Sequence, residues 1–165
     1  MADFTHIDLK GNAKMVDVSE KEQTLRTALA RGCIKLNAEI ISKIKSALIV
    51  KGDVISTARI AGISAAKKTW ELIPLCHNIK ITGIKIDFEI IEEEDKIIVQ
   101  AEVKGYDLTG VEMEAITAVS ISLITIYDMC KALSHDMVIG EIELLSKTGG
   151  KKDYKAASKN GRPAG

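Results

Sequence analysis

Aromatic residues are scarce: one Trp, three Tyr and two Phe make up 4% of 165 residues. A surface that stacks successive bases of a single strand needs exposed rings, so that class of nucleic-acid binder lacks its raw material. Net charge is also missing, because Lys plus Arg and Asp plus Glu both number 23. No long-range field draws the chain to nucleic acid or to an anionic membrane, and any anion site must be local. Disulfide chemistry has little to work with. The three cysteines, Cys33, Cys76 and Cys130, are odd in number and contain no CxxC pair, which predicts free thiols in a reducing compartment and a cytoplasmic location. Residues 1–14 are polar and acidic where a signal peptide needs an apolar stretch. The most apolar run, residues 115–127, is interrupted by Thr117, Ser120, Ser122 and Thr125 and falls short of the roughly 20 residues of a membrane helix. With only 12 glycines and 2 prolines, disorder is not expected either.

What is present suits one packed domain spanning residues 1–165, with 46% hydrophobic and 28% charged residues. Residues 24–36 alternate, with Ala28, Ala30, Gly32, Ile34 and Leu36 on one side, which predicts a strand. Ser19 and Glu22 also fit a capping box for a helix there, but the alternation outweighs it. Asn37 is placed to cap a helix through Ile40, Ile41 and Ile44, and Asp53 to cap another from Val54 to about Lys68. Pro74 ends further helix and leaves LCHN at 75–78 in a loop. Residues 79–91 and 96–104, rich in β-branched side chains, form an expected antiparallel hairpin about the acidic turn 92–95. Residues 112–133 have helical spacing but are apolar on nearly every side, which places them between layers or at a subunit interface. A last strand is expected over 137–145, then a Gly- and Lys-rich tail, loose from 147 and mobile from about 152. Strands and helices intermix without a regular βα repeat, so the expected class is α+β, with helices on one face of an antiparallel sheet.

Several groups have chemical potential. Asp128 and Lys131 stand three apart on the predicted helix and can meet on one face, although such pairs are commonly solvated salt bridges. His77, in the loop after Pro74, can exchange protons or donate to a phosphate, or simply bond to backbone. Adjacent Cys76 and His77 are poor ligands for one ion, so no metal site is expected. Lys51, Arg59, Lys67 and Lys68 form one basic group, and Lys147, Lys151 and Lys152 surround Gly149 and Gly150 in another; either suits an anion without matching a P-loop. Glu112 and Glu114 open the long helix, where its dipole favours carboxylates. Glu114 and Asp128 project to similar sides but about 21 Å apart along an unbroken helix. If both serve one substrate, they hold its distant ends or come from two subunits.

Taken together, MVDVS (15–19), KGDVISTARIAGISAAKKTWELIPLCH (51–77), TGVEMEAITA (109–118), IYDMCKAL (126–133), DMVIG (136–140) and KTGGK (147–151) resemble the cyclic pyranopterin monophosphate synthases, also called the molybdenum cofactor biosynthesis protein C family. The resemblance runs through most of the chain, and departs from the family at Asn78, where proline usually follows LCH. It implies a ferredoxin-like α+β fold, assembled as a hexamer of three dimers with active sites at subunit interfaces. It also implies a lyase acting on 3′,8-cyclo-7,8-dihydro-GTP supplied by a separate radical enzyme, with cyclic pyranopterin monophosphate and diphosphate as products. By position, Asp128, Lys131 and Lys51 are the implied catalytic residues. Leu75, Cys76, His77, Met113 and Glu114 are implied substrate contacts, joined more loosely by Glu112, Lys67 and Lys147. No cofactor is implied beyond a divalent ion that the triphosphate can carry. A binding module for a phosphate or pterin, without chemistry, is the competing reading.

Overall fold

The computed structural model describes Asn12 and residues 14–157; the polar N-terminal stretch read above lies almost wholly outside these residues. Strand β1 runs Thr24–Lys35, and Asn37 accepts the Ile40 N–H at 2.9 Å to cap α1, Ala38–Lys45. Asp53 does the same for Ser56 at the start of α2, Val54–Ala66. These carboxylate and amide caps satisfy donors that the first helical turn leaves free. The expected continuation of α2 to Lys68 is interrupted. Lys67 caps α2, and a separate turn, α3, spans Thr69–Leu72. The buried Thr69 hydroxyl donates back to the Ala66 carbonyl at 3.0 Å, competing with a continuous helix.

Strands β2, Ile81–Ile91, and β3, Lys96–Asp107, form the expected hairpin, with Glu92–Glu94 as a 3-10 turn between them. Helix α4 is Glu112–Cys130, three residues shorter than the pattern suggested, with Lys131 as its cap. Strand β4, Val138–Thr148, extends beyond the expected 145, and β5, Tyr154–Lys155, pairs back onto it. The tail expected to be loose from 147 and mobile from 152 is therefore tied to the sheet through residue 155; residues 158–165 lie outside the described residues.

All neighbours in the sheet are antiparallel, in the order β2-β3-β1-β4-β5. The first four strands with intervening helices reproduce the ferredoxin-like arrangement. The register places Ala28 opposite Val103, Ala30 opposite Ala101 and Ile34 opposite Ile97, all buried on one face. Helix α4 covers that face, and α2 packs beside it. This explains the unusual composition of α4: ten of its residues, from Glu114 to Cys130, are buried between the sheet and α2.

The α2–α4 contact is close because of Gly62. A Cβ there would collide with Ser122 Oγ and come within 2.8 Å of the Ala118 carbonyl oxygen. The Ser122 hydroxyl meanwhile donates to the Ala58 carbonyl at 3.1 Å. Replacing Gly62 by alanine is expected to force the helices apart and destabilise the fold by about 1–3 kcal/mol, measured as the shift in urea midpoint. A stability equal to the wild type would show that this contact relaxes freely.

Candidate active site

The loop after α3 is shaped by Pro74. The Cys76 N–H donates to the Ile73 carbonyl at 3.0 Å, closing a turn in which proline supplies the fixed φ of the second position. The chain then runs irregularly to β2, placing Leu75, Cys76 and His77 half-buried and Asn78 exposed. His77 Nε2 donates to the Val16 carbonyl at 2.9 Å, so Nδ1 is the nitrogen left to accept when the ring is neutral. This contact brings the MVDVS segment over the loop.

Opposite lies the start of α4. Leu75, Cys76 and His77 share a cleft of about 530 Å³ with Glu112, Met113 and Glu114. The sequence thus named six residues that converge. Helix α4 has no side-chain cap at Val111, and its first-turn carboxylates sit where the helix dipole favours negative charge. Burial opposes this at Glu114, whose carboxyl is pushed up to about 7, with the charges of Glu112 and Asp107 adding to the rise. Among the described residues, Glu112 Oε2 and Glu114 Oε2 are buried polar side-chain atoms without a hydrogen-bond partner. Such atoms are costly unless a ligand satisfies them. The Cys76 thiol is raised by burial and then by Glu114 and Glu112, which argues against a thiolate nucleophile.

Glu112 Oε1 accepts from Lys147 Nζ at 2.7 Å. This bridge joins the cleft to a larger one of about 1110 Å³, lined by Lys147, Lys151, Lys152 and the Gly149–Gly150 loop together with Asp17, Glu20 and Glu22. Arg26 and Lys21 line it too, and sequence reasoning missed both. Arg26 had a signal: it shares the parity of Ala28 and Ala30, an arginine on the apolar side of a strand. It is buried, donating to the Asp107 and Leu108 carbonyls at 3.3 and 3.2 Å.

The catalytic residues implied by the resemblance gather elsewhere. Asp128 Oδ1 accepts from Lys131 at 2.7 Å and Oδ2 from Lys51 at 3.0 Å; Lys51 also donates to the Asp128 carbonyl at 2.6 Å. Both ammonium groups sit at the C-terminal end of α4, favoured by its dipole. Hydrogen bonds from Lys131 and Lys51 hold the Asp128 carboxyl below its ordinary value, and the bond to Asp128 raises Lys131. Because α4 is unbroken, this cluster lies about 21 Å from Glu114 along the axis. None of its three residues lines either cleft. Lys67 also lines neither; it is exposed at the end of α2. No group of three or more His, Cys, Asp or Glu side chains suited to a metal ion occurs among the described residues.

The MoaC family model matches residues 15–150, a span containing both clusters. The chain belongs to the MoaC family. A protein of Peptoclostridium acidaminophilum named cyclic pyranopterin monophosphate synthase is 52% identical over 157 residues, covering 94% of this chain and 99% of the relative. Proteins of the same name from Clostridium perfringens (strain 13 / Type A) and Desulfitobacterium hafniense (strain DSM 10664 / DCB-2) are 56% and 51% identical. These alignments cover 90% and 92% of this chain, and 94% and 93% of the relatives.

Glu114 makes the cleft's electrostatics testable. Its carboxyl holds a proton in the fold up to about pH 7, while an unfolded glutamate releases it near 4.5. The resulting stabilisation is complete below the lower value and is lost as pH rises through the higher one. The shift corresponds to roughly 3 kcal/mol. Urea unfolding at pH 5 and pH 8 should therefore show the wild type losing about 2.5 kcal/mol relative to Glu114→Gln, part of the loss having already occurred by pH 5. An unchanged difference between the two proteins would place the carboxyl in a wetter site.

Proposed function

We propose that the chain is a lyase of molybdenum cofactor biosynthesis that converts (8S)-3′,8-cyclo-7,8-dihydroguanosine 5′-triphosphate to cyclic pyranopterin monophosphate and diphosphate. Membership of the MoaC family and the names of relatives matched over nearly their full lengths support this. The observation that carries it is Glu114, a buried carboxyl titrating near neutrality with an unpartnered oxygen beside His77. Rearranging a guanine ring system requires proton exchange at several atoms close to pH 7, and such a group suits it.

The remaining residues divide the work. Leu75, Cys76, His77 and Met113 bind the base, with Glu112 and Glu114 accepting its N–H donors. Lys147, with Lys151 and Lys152 in the cleft around Gly149, takes the triphosphate, because ammonium groups suit anions. Closing the cyclic phosphate forms a bond from a substrate hydroxyl to the α-phosphorus and breaks the bond to the β-phosphate; the hydroxyl proton must leave and diphosphate departs. Lys51 and Lys131 stabilise that charge. Lys131 is raised and therefore protonated, so its role is donation rather than abstraction. No cofactor is invoked, and any divalent ion arrives on the triphosphate.

Two carboxyl-bearing ends of one unbroken helix cannot reach the same atom, so the Asp128 cluster of one subunit completes the cleft of another. Exposed Ile60, Trp70, Leu72 and Ile124 offer apolar surface for that contact. A hexamer of three dimers in the cytoplasm, fed by a separate radical enzyme, is the assembly proposed.

Sedimentation at micromolar concentration should show an oligomer as the active species; a fully active monomer would remove the shared site. Incubation with the cyclised GTP should give product without a redox partner, whereas binding without turnover would favour the module. Lys51→Ala and Lys131→Ala should each lose at least about a hundredfold in turnover. Lys131→Arg should keep charge and binding but lose proton donation. Near wild-type turnover by the arginine variant would leave Lys131 only as an electrostatic clamp.

A further inference from the structure

The 75–77 loop and the opening turn of α4 are distant in sequence, and nothing described so far holds them in register. The link lies below the cleft, where residues 79–80 cross the end of β3. Asp107, the last residue of β3, is half-buried. Its Oδ2 accepts the Lys80 N–H at 2.8 Å, and its Oδ1 accepts the Leu108 N–H at 2.7 Å. The Lys80 carbonyl in turn accepts the Tyr106 N–H at 3.2 Å, so Lys80 is gripped through both backbone groups.

Gly105 allows the approach. A Cβ there would come within 2.9 Å of Val111 Cγ1, 3.2 Å of the Lys80 carbonyl oxygen and 3.3 Å of Ile79 Cγ2. The same small space thus contacts the residue preceding α4 and the strap following His77. From the other side, Arg26 donates to the Asp107 and Leu108 carbonyls. The bond from the neighbouring Leu108 N–H sets the orientation of the carboxylate, and the bond from Lys80 then ties the strap to the end of β3 more tightly than packing alone, because charged acceptors make the stronger hydrogen bonds.

We propose that Asp107 is a positioning residue, whose carboxylate clamps the His77 loop against the first turn of α4. The proposal rests on the reading of this cleft as the active site. Asp107 touches no reacting atom; it acts by holding His77 and Glu114 across from one another. Its negative charge also adds, as the smallest contribution, to the rise of the Glu114 carboxyl. The other ionisable groups around that carboxyl are Glu112 on α4, Cys76 and His77 in the loop, and Asp17, Lys21 and Lys151 across the cleft, with Lys147 on Glu112.

Asp107→Ala and Asp107→Asn separate geometry from charge. The alanine variant should speed amide hydrogen exchange at Lys80 and lower kcat/KM by at least about tenfold, in line with the cost of misplaced groups, while the oligomer and melting temperature stay near wild type. The asparagine variant keeps one acceptor and should recover part of the activity. Having lost the like charge, it should also shift the titration of Glu114, followed by carboxyl carbon NMR, to lower pH. Alanine activity equal to wild type, or a folded asparagine variant with an unmoved Glu114 titration, overturns the proposal. Should the alanine variant fail to fold, the asparagine variant decides alone. Should the wild type not turn over cyclised GTP, the functional reading fails, while Lys80 exchange and the Glu114 titration still judge Asp107.

Discussion

Helix α4 packs on the sheet beside α2, with Ala115, Ala118, Val119, Leu123 and Ile126 fully buried. Every other feature leans on this packing. The sheet face below has small residues where the helix crosses, including Ala28 and Ala30, and Gly62 lets α2 press close alongside. Small residues trade hydrophobic area for proximity, and proximity makes dense packing. The long helix that results is stiff, and its two ends carry the two charged clusters.

Those ends are electrostatic opposites. The N-terminal turn holds Glu112 and Glu114, the C-terminal end Lys51 and Lys131 around Asp128. In both places charge agrees with the helix dipole, so the arrangement needed for binding is also locally tolerable for the fold. Glu114 is the exception, because burial outweighs the dipole and leaves the carboxyl half-protonated near neutrality. A site that must exchange protons benefits from a group held in this balance.

Much of this was legible in the sequence. Alternation found β1, and the capping residues Asn37 and Asp53 marked two helix starts because their side chains have local partners. Local signals failed where a tertiary contact intervened: the Thr69 hydroxyl broke the helix before α3, and pairing to β1 carried β4 past 145. The quoted motifs contain the residues that gather into the two clusters. Their separation was calculable from helical rise, but the burial of Glu114 was not, since it depends on the loop lying opposite. Arg26 was readable as a misplaced charge on an apolar face, whereas Asp107 gave no periodic signal. Its partners, the Lys80 and Leu108 N–H groups, are backbone atoms that any residue but proline supplies.

An unbroken helix joining two charged clusters also constrains how this chain can vary. Each residue added to or removed from the middle of α4 turns one end about 100° relative to the other and moves it about 1.5 Å. A single insertion would swing Asp128 and Lys131 to another side while leaving the helix intact. A change of length within α4 therefore disturbs the relation between its two ends far more than an exchange of side chains along it.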